Sequence, residues 1–254
     1  MGTSARELTA FITGASYGVG TATALALAEG GFNIAISATR AENLQVTLAV
    51  VEAKGAPVLP VVLDLRTASS ITQAVQDVAA RFGHVDLLVN NAAINLRKPA
   101  VDVIWEEWDE VMAINLRGAF FLSQQIARRM IGSGRPGAII NIASVHGLLG
   151  ASERSVYGIA KGGLIQMTRM LAVEWAGHGI RVNALAPGRL ETASPSRAVR
   201  TTDPAYLESM RARIPLKQLA TAEQVAAAVC YLASPQASTI TGQTLVLDGG
   251  MSIV

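Results

Sequence analysis

The chain has 254 residues, half of them hydrophobic and only 16% charged, with a net charge of +2 at pH 7. That length suits one large α/β domain or two small ones with a substantial core, and the weak, interspersed charge marks out no nucleic-acid stripe and no membrane-binding face. The single cysteine, Cys230, excludes an intrachain disulfide and a cysteine-rich metal site, and His84, His146 and His178 have no metal-ligand spacing. The N-terminus carries no apolar run of signal-peptide length, and no uninterrupted stretch reaches the ~18 apolar residues of a spanning helix, so a cytoplasmic location is expected.

In chain order, short apolar runs alternate with longer amphipathic stretches. Strands are predicted at 8–13 (LTAFIT), 32–37 (FNIAIS), 57–63 (PVLPVVL), 85–89 (VDLLV), 137–142 (GAIINI), 180–185 (IRVNAL) and 243–247 (QTLVL). Helices are predicted at about 19–29, 41–54, 67–82, 103–131, 154–177 and 221–233. Alternation at this spacing implies βαβ units and a parallel sheet covered on both faces. Right-handed crossovers make this a doubly wound, Rossmann-type α/β fold of seven strands. No linker or repeat divides the chain, so residues 1–254 are expected to form a single domain. Only 188–218 breaks the rhythm, with many Pro, Ser, Thr and Arg and one weak helical stretch near PAYLESMRAR. Ligands in open α/β sheets bind past the carboxyl ends of strands, so this insertion reads as a substrate flap rather than surface decoration.

The first predicted strand runs into TGASYGVG, residues 13–20, and then into a helix. Gly14, Gly18 and Gly20 permit a tight turn and close approach of backbone to a pyrophosphate seated on the helix N-terminus. At the end of the second strand, AISATRAEN places Ala38 and Thr39 where an NAD site commonly has a carboxylate, with Arg40 next. A hydroxyl and a guanidinium suit a 2′-phosphate. NADP(H) is therefore favoured, with NAD(H) possible if Arg40 only decorates the next helix start.

In SVYGIAK, residues 155–161, Tyr157 and Lys161 stand four apart and would share one helix face. An ammonium beside a phenol favours phenolate and draws its pKa down from about 10, which makes a general acid/base out of tyrosine. Two surface residues that happen to align are the alternative that this pair alone leaves open.

With further motifs added, the chain resembles the compact branch of the short-chain dehydrogenase/reductase family over nearly all its length. The matching residues are TGASYGVG, Asp64 in VLDLR, NNAA at 90–93, Asn115 in AINLRG, Ser144 in IINIAS, APGRLET, and LDGG near the C-terminus. Ser144 precedes Tyr157 by thirteen residues, as the family pattern requires, and Ala93 replaces a glycine usual in that family.

The resemblance implies an oxidoreductase that interconverts a secondary alcohol and a ketone on NAD(P)(H), with a small molecule as partner and no nucleic acid, membrane or metal. It implies that Tyr157 gives or takes the proton, that Lys161 lowers its pKa and binds the nicotinamide ribose, and that Ser144 donates to the substrate oxygen. Asn115 is implied as a positioner that holds a water between Lys161 and solvent. Cofactor contacts are implied for Gly14, Ser16, Tyr17, Gly18, Val19 and Gly20, for Thr39 and Arg40, for Asp64 at the adenine, and for Leu65, Asn91 and Ala92. Pro187, Gly188 and Thr192 join Tyr157 and Lys161 at the nicotinamide end.

Substrate class stays open between a 3-oxoacyl-carrier-protein type and a sugar, polyol or sugar-acid type. The latter is raised by PAVDVIWEEWDEVMAINLRGAFFLSQ, which is similar to gluconate dehydrogenase relatives. A non-catalytic dinucleotide sensor is a remote alternative on the same fold.

Among other residues, His146 either borders the substrate pocket or sits in a solvated loop, and Arg97 either recognises a carboxylate or is a solvated loop arginine. Arg128 and Arg129 either dock an acidic carrier or end a solvent-facing helix. Trp105, Trp108 and Trp175 are expected in the core or at a subunit contact, and Cys230 in the core. The resemblance implies a homotetramer, or at least a dimer, associating through the helices at 103–131 and 154–177, whose apolar residues lie on more than one side.

Overall fold

The computed structural model describes residues 7–191 and 204–254. Seven parallel strands form the central sheet: β1 (Leu8–Ile12), β2 (Phe32–Ala38), β3 (Val58–Val62), β4 (Leu87–Asn90), β5 (Gly137–Ile142), β6 (Ile180–Pro187) and β9 (Thr244–Leu247). Their order is β3-β2-β1-β4-β5-β6-β9. A separate two-residue pair, β7 (Leu190–Glu191) with β8 (Ala220–Thr221), was not foreseen from the sequence. The helices are α1 (Gly18–Glu29), α2 (Gln45–Glu52), α3 (Ala68–Phe82), α4 (Trp105–Met112), α5 (Ala119–Gly132), α6 (Ser155–Trp175), α7 (Pro204–Arg211) and α8 (Ala222–Ala233).

The apolar runs become strands because successive side chains alternate between faces and both faces are covered. On β1, Ala10 and Ile12 pack with residues of α1, α2 and α8, while Phe11 between them packs with α3, α5 and α6. The register holds Ala10 beside Ile34 of β2 and beside Leu87 of β4. Chain order reverses on either side of β1, so the connections leave in opposite directions and open a crevice at the strands' carboxyl ends. A third apolar cluster, of Val111, Val156 and Ala160 with Ile94, Leu96 and Trp108 around it, seats the start of α6 against α4.

Two predicted helices are divided. The segment at 41–54 opens with a 3₁₀ turn, Ala41–Leu44, before α2, and Leu44 is fully buried there. The segment at 103–131 starts at Trp105 and contains a π-helical stretch, Ala113–Gly118, between α4 and α5. Its Gly118 is pressed onto the exit from β3, where a Cβ would lie 2.5 Å from the Leu65 carbonyl oxygen. A π turn adds a residue to the helical circuit and re-aims what it carries, and here it carries Asn115.

The fourth strand begins two residues later than expected, at Leu87. Within the predicted insertion, α7 covers the weak helical stretch, while Thr192 and the remainder of 192–203 lie outside the described residues. Among the described residues, no helix is long and apolar enough to cross a membrane.

Candidate active site

The glycine loop leaves β1 at Thr13, whose hydroxyl accepts from the Asn91 and Ala92 amides, each at 3.0 Å. The Asn91 side chain in turn donates to the carbonyls of Thr13 and Gly14 at 2.9 and 2.8 Å. These bonds tie the ends of β1 and β4 together on either side of the crevice. Gly14 has φ +62°, and a Cβ on it would stand 2.6 Å from the Ala92 Cα. A Cβ on Gly20 would meet the Gly14 carbonyl oxygen at 2.5 Å. The first turn of α1 has neither a side-chain cap nor an acidic residue. A close backbone cradle on an uncapped helix N-terminus fits a dinucleotide pyrophosphate. Ser16, Tyr17 and Val19 fall in this loop and first turn, with Tyr17 half exposed.

At the neighbouring strand ends, Ala38 closes β2 and Thr39 and Arg40 stand exposed beyond it. Asp64 lies just past β3. Its carboxylate is gripped by Arg66, with Nε at 2.9 and 3.1 Å from its two oxygens and Nη2 at 2.8 Å. The Arg66 guanidinium holds the Asp64 pKa below the usual carboxylate range. Sequence reasoning stopped at the aspartate and missed this partner, although the basic residue two positions later was the available signal.

The catalytic candidates converge at the end of β5. Ser144 starts a 3₁₀ turn, Val145–Gly147, and its hydroxyl accepts from the His146 amide at 3.2 Å. That leaves the Ser144 O–H to donate elsewhere. The turn rests directly on α6 because the facing positions are glycines. A Cβ at Gly158 would come within 2.8 Å of the His146 carbonyl oxygen, and one at Gly147 within 2.7 Å of the Lys161 carbonyl carbon.

On that helix, Lys161 is fully buried and donates to the Ile142 carbonyl at 2.6 Å. Loss of hydration lowers its pKa from 10.5 to about 8. Its Nζ stands 5.8 Å from the centre of the Tyr157 ring, so the pair does share a face. The His146 ring meets Tyr157 edge-on, 6.3 Å between centres.

Asn115 is buried and commits both ends of its carboxamide to Ile94, accepting from its N–H and donating to its carbonyl, each at 2.8 Å. It thereby fixes the wall of the crevice after β4. That wall is fastened again by Arg97 to Glu153 at 2.5 Å, by Arg154 to Asn95, and by the Lys98 amide to the Glu153 carbonyl at 3.0 Å. Arg97 is thus an ion-paired loop residue.

Beneath, a buried polar chain crosses from α5 to α6. Asn90 donates to Ser123 and to Asn141, both at 2.8 Å, and Asn141 donates to Thr168 at 2.9 Å. Such a network, buried in low dielectric, stiffens the platform under Ser144. His146 and Arg154 line a cavity of about 410 Å³ beside α6.

Pro187 ends β6, and Gly188 follows against Asp248, where a Cβ would come within 2.8 Å of the aspartate's Cβ. Leu65, just past β3 and next to Asp64, is buried. Trp108 and Trp175 are partly buried against apolar clusters, whereas Trp105 is 79% exposed, which removes it from the core. Cys230 packs partly buried against the α1–α8 side of the sheet. Arg128 and Arg129 are exposed near the end of α5.

A family model described as enoyl-(acyl carrier protein) reductase matches residues 14–252. A 3-oxoacyl-[acyl-carrier-protein] reductase of Thermotoga maritima is 38% identical, over 95% of this chain and 96% of its own length. Gluconate 5-dehydrogenase of Gluconobacter oxydans is 32% identical, over 96% and 94%. Among solved structures, acetoin dehydrogenase of Enterobacter cloacae aligns at a TM-score of 0.88 with 35% identity, covering 98% of this chain and 97% of that one. With the seven-stranded sheet and the Ser144, Tyr157 and Lys161 cluster already in place, these full-length similarities show that the chain belongs to the short-chain dehydrogenase/reductase family of oxidoreductases.

Proposed function

We propose that this protein interconverts a ketone and a secondary alcohol with preference for NADP(H), using Tyr157 as general acid/base. The observation that carries the reading is the fully buried Lys161, hydrogen-bonded to Ile142 and aligned with Tyr157 beside Ser144. Gly14, Ser16, Tyr17, Gly18, Val19 and Gly20 would cradle the pyrophosphate. Asp64 and Leu65 would hold the adenine, Thr39 and Arg40 a 2′-phosphate, and Asn91, Ala92, Pro187, Gly188 and Thr192 the nicotinamide half. The cofactor supplies the hydride.

The chain's own residues handle the oxygen. Ser144 donates to the substrate carbonyl and fixes its direction. Tyr157 gives its proton to the developing alkoxide, and takes it back in the oxidative direction. The Lys161 ammonium stabilises the phenolate left behind, and burial strengthens that interaction because little water screens it. Asn115 holds the Ile94 wall against which the substrate lies. The expected flap at 188–218 falls partly on residues outside those described.

The relatives' names include 3-oxoacyl-carrier-protein reductases, sugar-acid dehydrogenases and a polyol dehydrogenase, which supports keeping both the 3-oxoacyl-carrier-protein class and the sugar, polyol or sugar-acid class. The half-exposed Phe121, Ile159 and Met170, with Val173 at 81%, line α5 and α6 as contact surface for a homotetramer. A cytoplasmic setting suits a chain with one unpaired cysteine. The test is a panel of 3-oxoacyl thioesters, sugar acids, polyols and simple ketones followed by cofactor absorbance. Turnover of at least one carbonyl substrate is expected. Dinucleotide binding without turnover across the panel would favour a sensor instead.

A further inference from the structure

The carbonyl of Ala15, in the middle of the glycine loop, is held from α2. The Thr47 hydroxyl donates to it at 2.6 Å. The Thr21 hydroxyl of α1 stands 2.7 Å from Thr47 Oγ1 and 3.3 Å from the same carbonyl. Each hydroxyl has one hydrogen to give. With the Thr47 hydrogen committed to the carbonyl, Thr21 donates to Thr47 over the shorter distance, a chain in which each bond polarises the next. Ala15 and Thr47 are both fully buried, so bulk water does not reach this carbonyl. The Ala15 amide donates in turn to the Ser37 carbonyl of β2 at 2.9 Å. Both main-chain polar groups of Ala15 are thus fastened to the second strand–helix unit, whose connecting turn carries Thr39 and Arg40. A trans peptide is planar, with its carbonyl and N–H on opposite sides, and no described peptide bond is cis. A carbonyl drawn inward to Thr47 therefore turns the Ser16 N–H of the same peptide outward, to the side where Ser16 and Tyr17 are open.

We propose that Thr47 is a positioning residue, backed by Thr21, that locks the Ala15–Ser16 peptide so that its N–H faces the dinucleotide pyrophosphate. The proposal rests on the reading of the glycine loop as the pyrophosphate cradle. The reverse orientation of this peptide would aim a carbonyl oxygen at the phosphates. The hydroxyl on α2 thus decides whether the loop presents an attractive or a repulsive dipole to an anion. Valine in place of Thr47 keeps the shape and removes the donor, which leaves the buried carbonyl with only the long contact from Thr21. Serine restores the donor without the methyl.

The test measures dissociation constants by calorimetry for wild type, Thr47→Val and Thr47→Ser, with thermal melts to check folding. The ligands are NADP⁺, NAD⁺ and adenosine 2′-monophosphate, which has no pyrophosphate. Thr47→Val should weaken NADP⁺ and NAD⁺ by the same factor, about tenfold, and leave adenosine 2′-monophosphate within about twofold of wild type. Thr47→Ser should return both dinucleotides to within about threefold of wild type. Unchanged dinucleotide affinity in Thr47→Val overturns the role of Thr47 while leaving the cradle in place. Proportionate loss of all three ligands, or an altered ratio of NADP⁺ to NAD⁺, means that α2 and the rim have shifted, and overturns it too. A Thr47→Ser as weak as Thr47→Val contradicts the requirement for a hydroxyl. If wild type binds NADP⁺ no more tightly than adenosine 2′-monophosphate, the cradle reading fails and this role with it. Should Thr47→Val fail to fold, Thr21→Val decides in its place, with a loss of about threefold on both dinucleotides expected and no loss overturning the chain.

Discussion

The glycine loop after β1 and the cluster after β5 lie at the same edge of one sheet, yet they are made from opposite materials. The first is backbone pressed against backbone, with Gly14 and Gly20 each leaving no room for a methyl. The second is a set of side chains, Ser144, Tyr157, Lys161 and Asn115, each held by a main-chain group or by its neighbour. Adding atoms damages the first and removing them damages the second. The proposed binding end, built by exclusion, and the proposed chemical end, built by placement, therefore respond to different substitutions, and the two should be separable by experiment.

The largest effect is expected at the chemical end. Tyr157→Phe removes one oxygen from a partly exposed ring, and loss of a general acid/base lowers turnover by about a hundredfold or more. The glycine loop is untouched, so cofactor affinity should stay within about threefold, since no more than one ribose contact changes. Steady-state kinetics together with a binding titration check both halves. Near wild-type turnover would remove Tyr157 from its role, and lost cofactor affinity would show that the two ends are not separable.

Lys161 offers a pH test of the same end. Its folded pKa is about 8 against 10.5 for the free side chain. Below pH 8 the lysine is protonated in both folded and unfolded chains, and the full cost of burying the charge is present. Between pH 8 and 10.5 the unfolded chain binds more protons, so stability rises with pH, by about 3 kcal/mol at most. Urea unfolding across that range should show the rise in a Tyr157→Phe background, where the facing phenol no longer titrates. Adding Lys161→Met should flatten it. A rise that persists without the lysine would assign it to another group.

The backbone-built end was the more legible in the sequence, because glycines between a strand and a helix constrain geometry locally. The strands were legible for a related reason, since β-branched runs bounded by turn residues need no distant information. The shared face of Tyr157 and Lys161 was readable from helical spacing, while the role given to the pair came only with the motifs around it. Contacts made across the chain escaped. The π turn that aims Asn115 exists where Gly118 meets Leu65, more than fifty positions earlier. The Arg97–Glu153 pair joins residues 56 apart. Arg66 was missed despite adjacency, because a motif that ends at an aspartate assigns no role to the residue two positions further on.

Within the glycine loop, two substitutions of equal size should differ. A methyl on Gly20 meets backbone at 2.5 Å, whereas one on Gly18 meets nothing within 4 Å and suffers only from φ +60°. Overpacking against rigid backbone costs about 1–3 kcal/mol, so Gly20→Ala should weaken NADP(H) binding by about tenfold or more. Gly18→Ala bears about 1–2 kcal/mol of local strain, shared between stability and binding, and should weaken binding only a few-fold. Equal losses at the two positions would mean that conformation, not the close approach, governs this end.

A further effect is expected at the rim on the side of β1 away from β5, where Ala38 closes β2 and Thr39 and Arg40 are exposed. No carboxylate stands there to accept from a ribose 2′-hydroxyl. Thr39 has a hydroxyl to donate to a phosphate, and Arg40 adds a charge-assisted contact that solvent weakens. On the proposed reading these should together favour NADP(H) by about tenfold, the low end for hydrogen bonds to a charged group. Ala38→Asp adds an acceptor for the 2′-hydroxyl and repels the phosphate, so it should reverse the preference. The measurement is kcat/KM for NADPH and NADH on one substrate, before and after the change. The chemical end should be indifferent, so kcat at saturating cofactor ought to stay constant while KM moves. A wild-type preference for NADH would mean that Arg40 points away from the ribose, and a shift in kcat would mean that rim and chemical end are coupled.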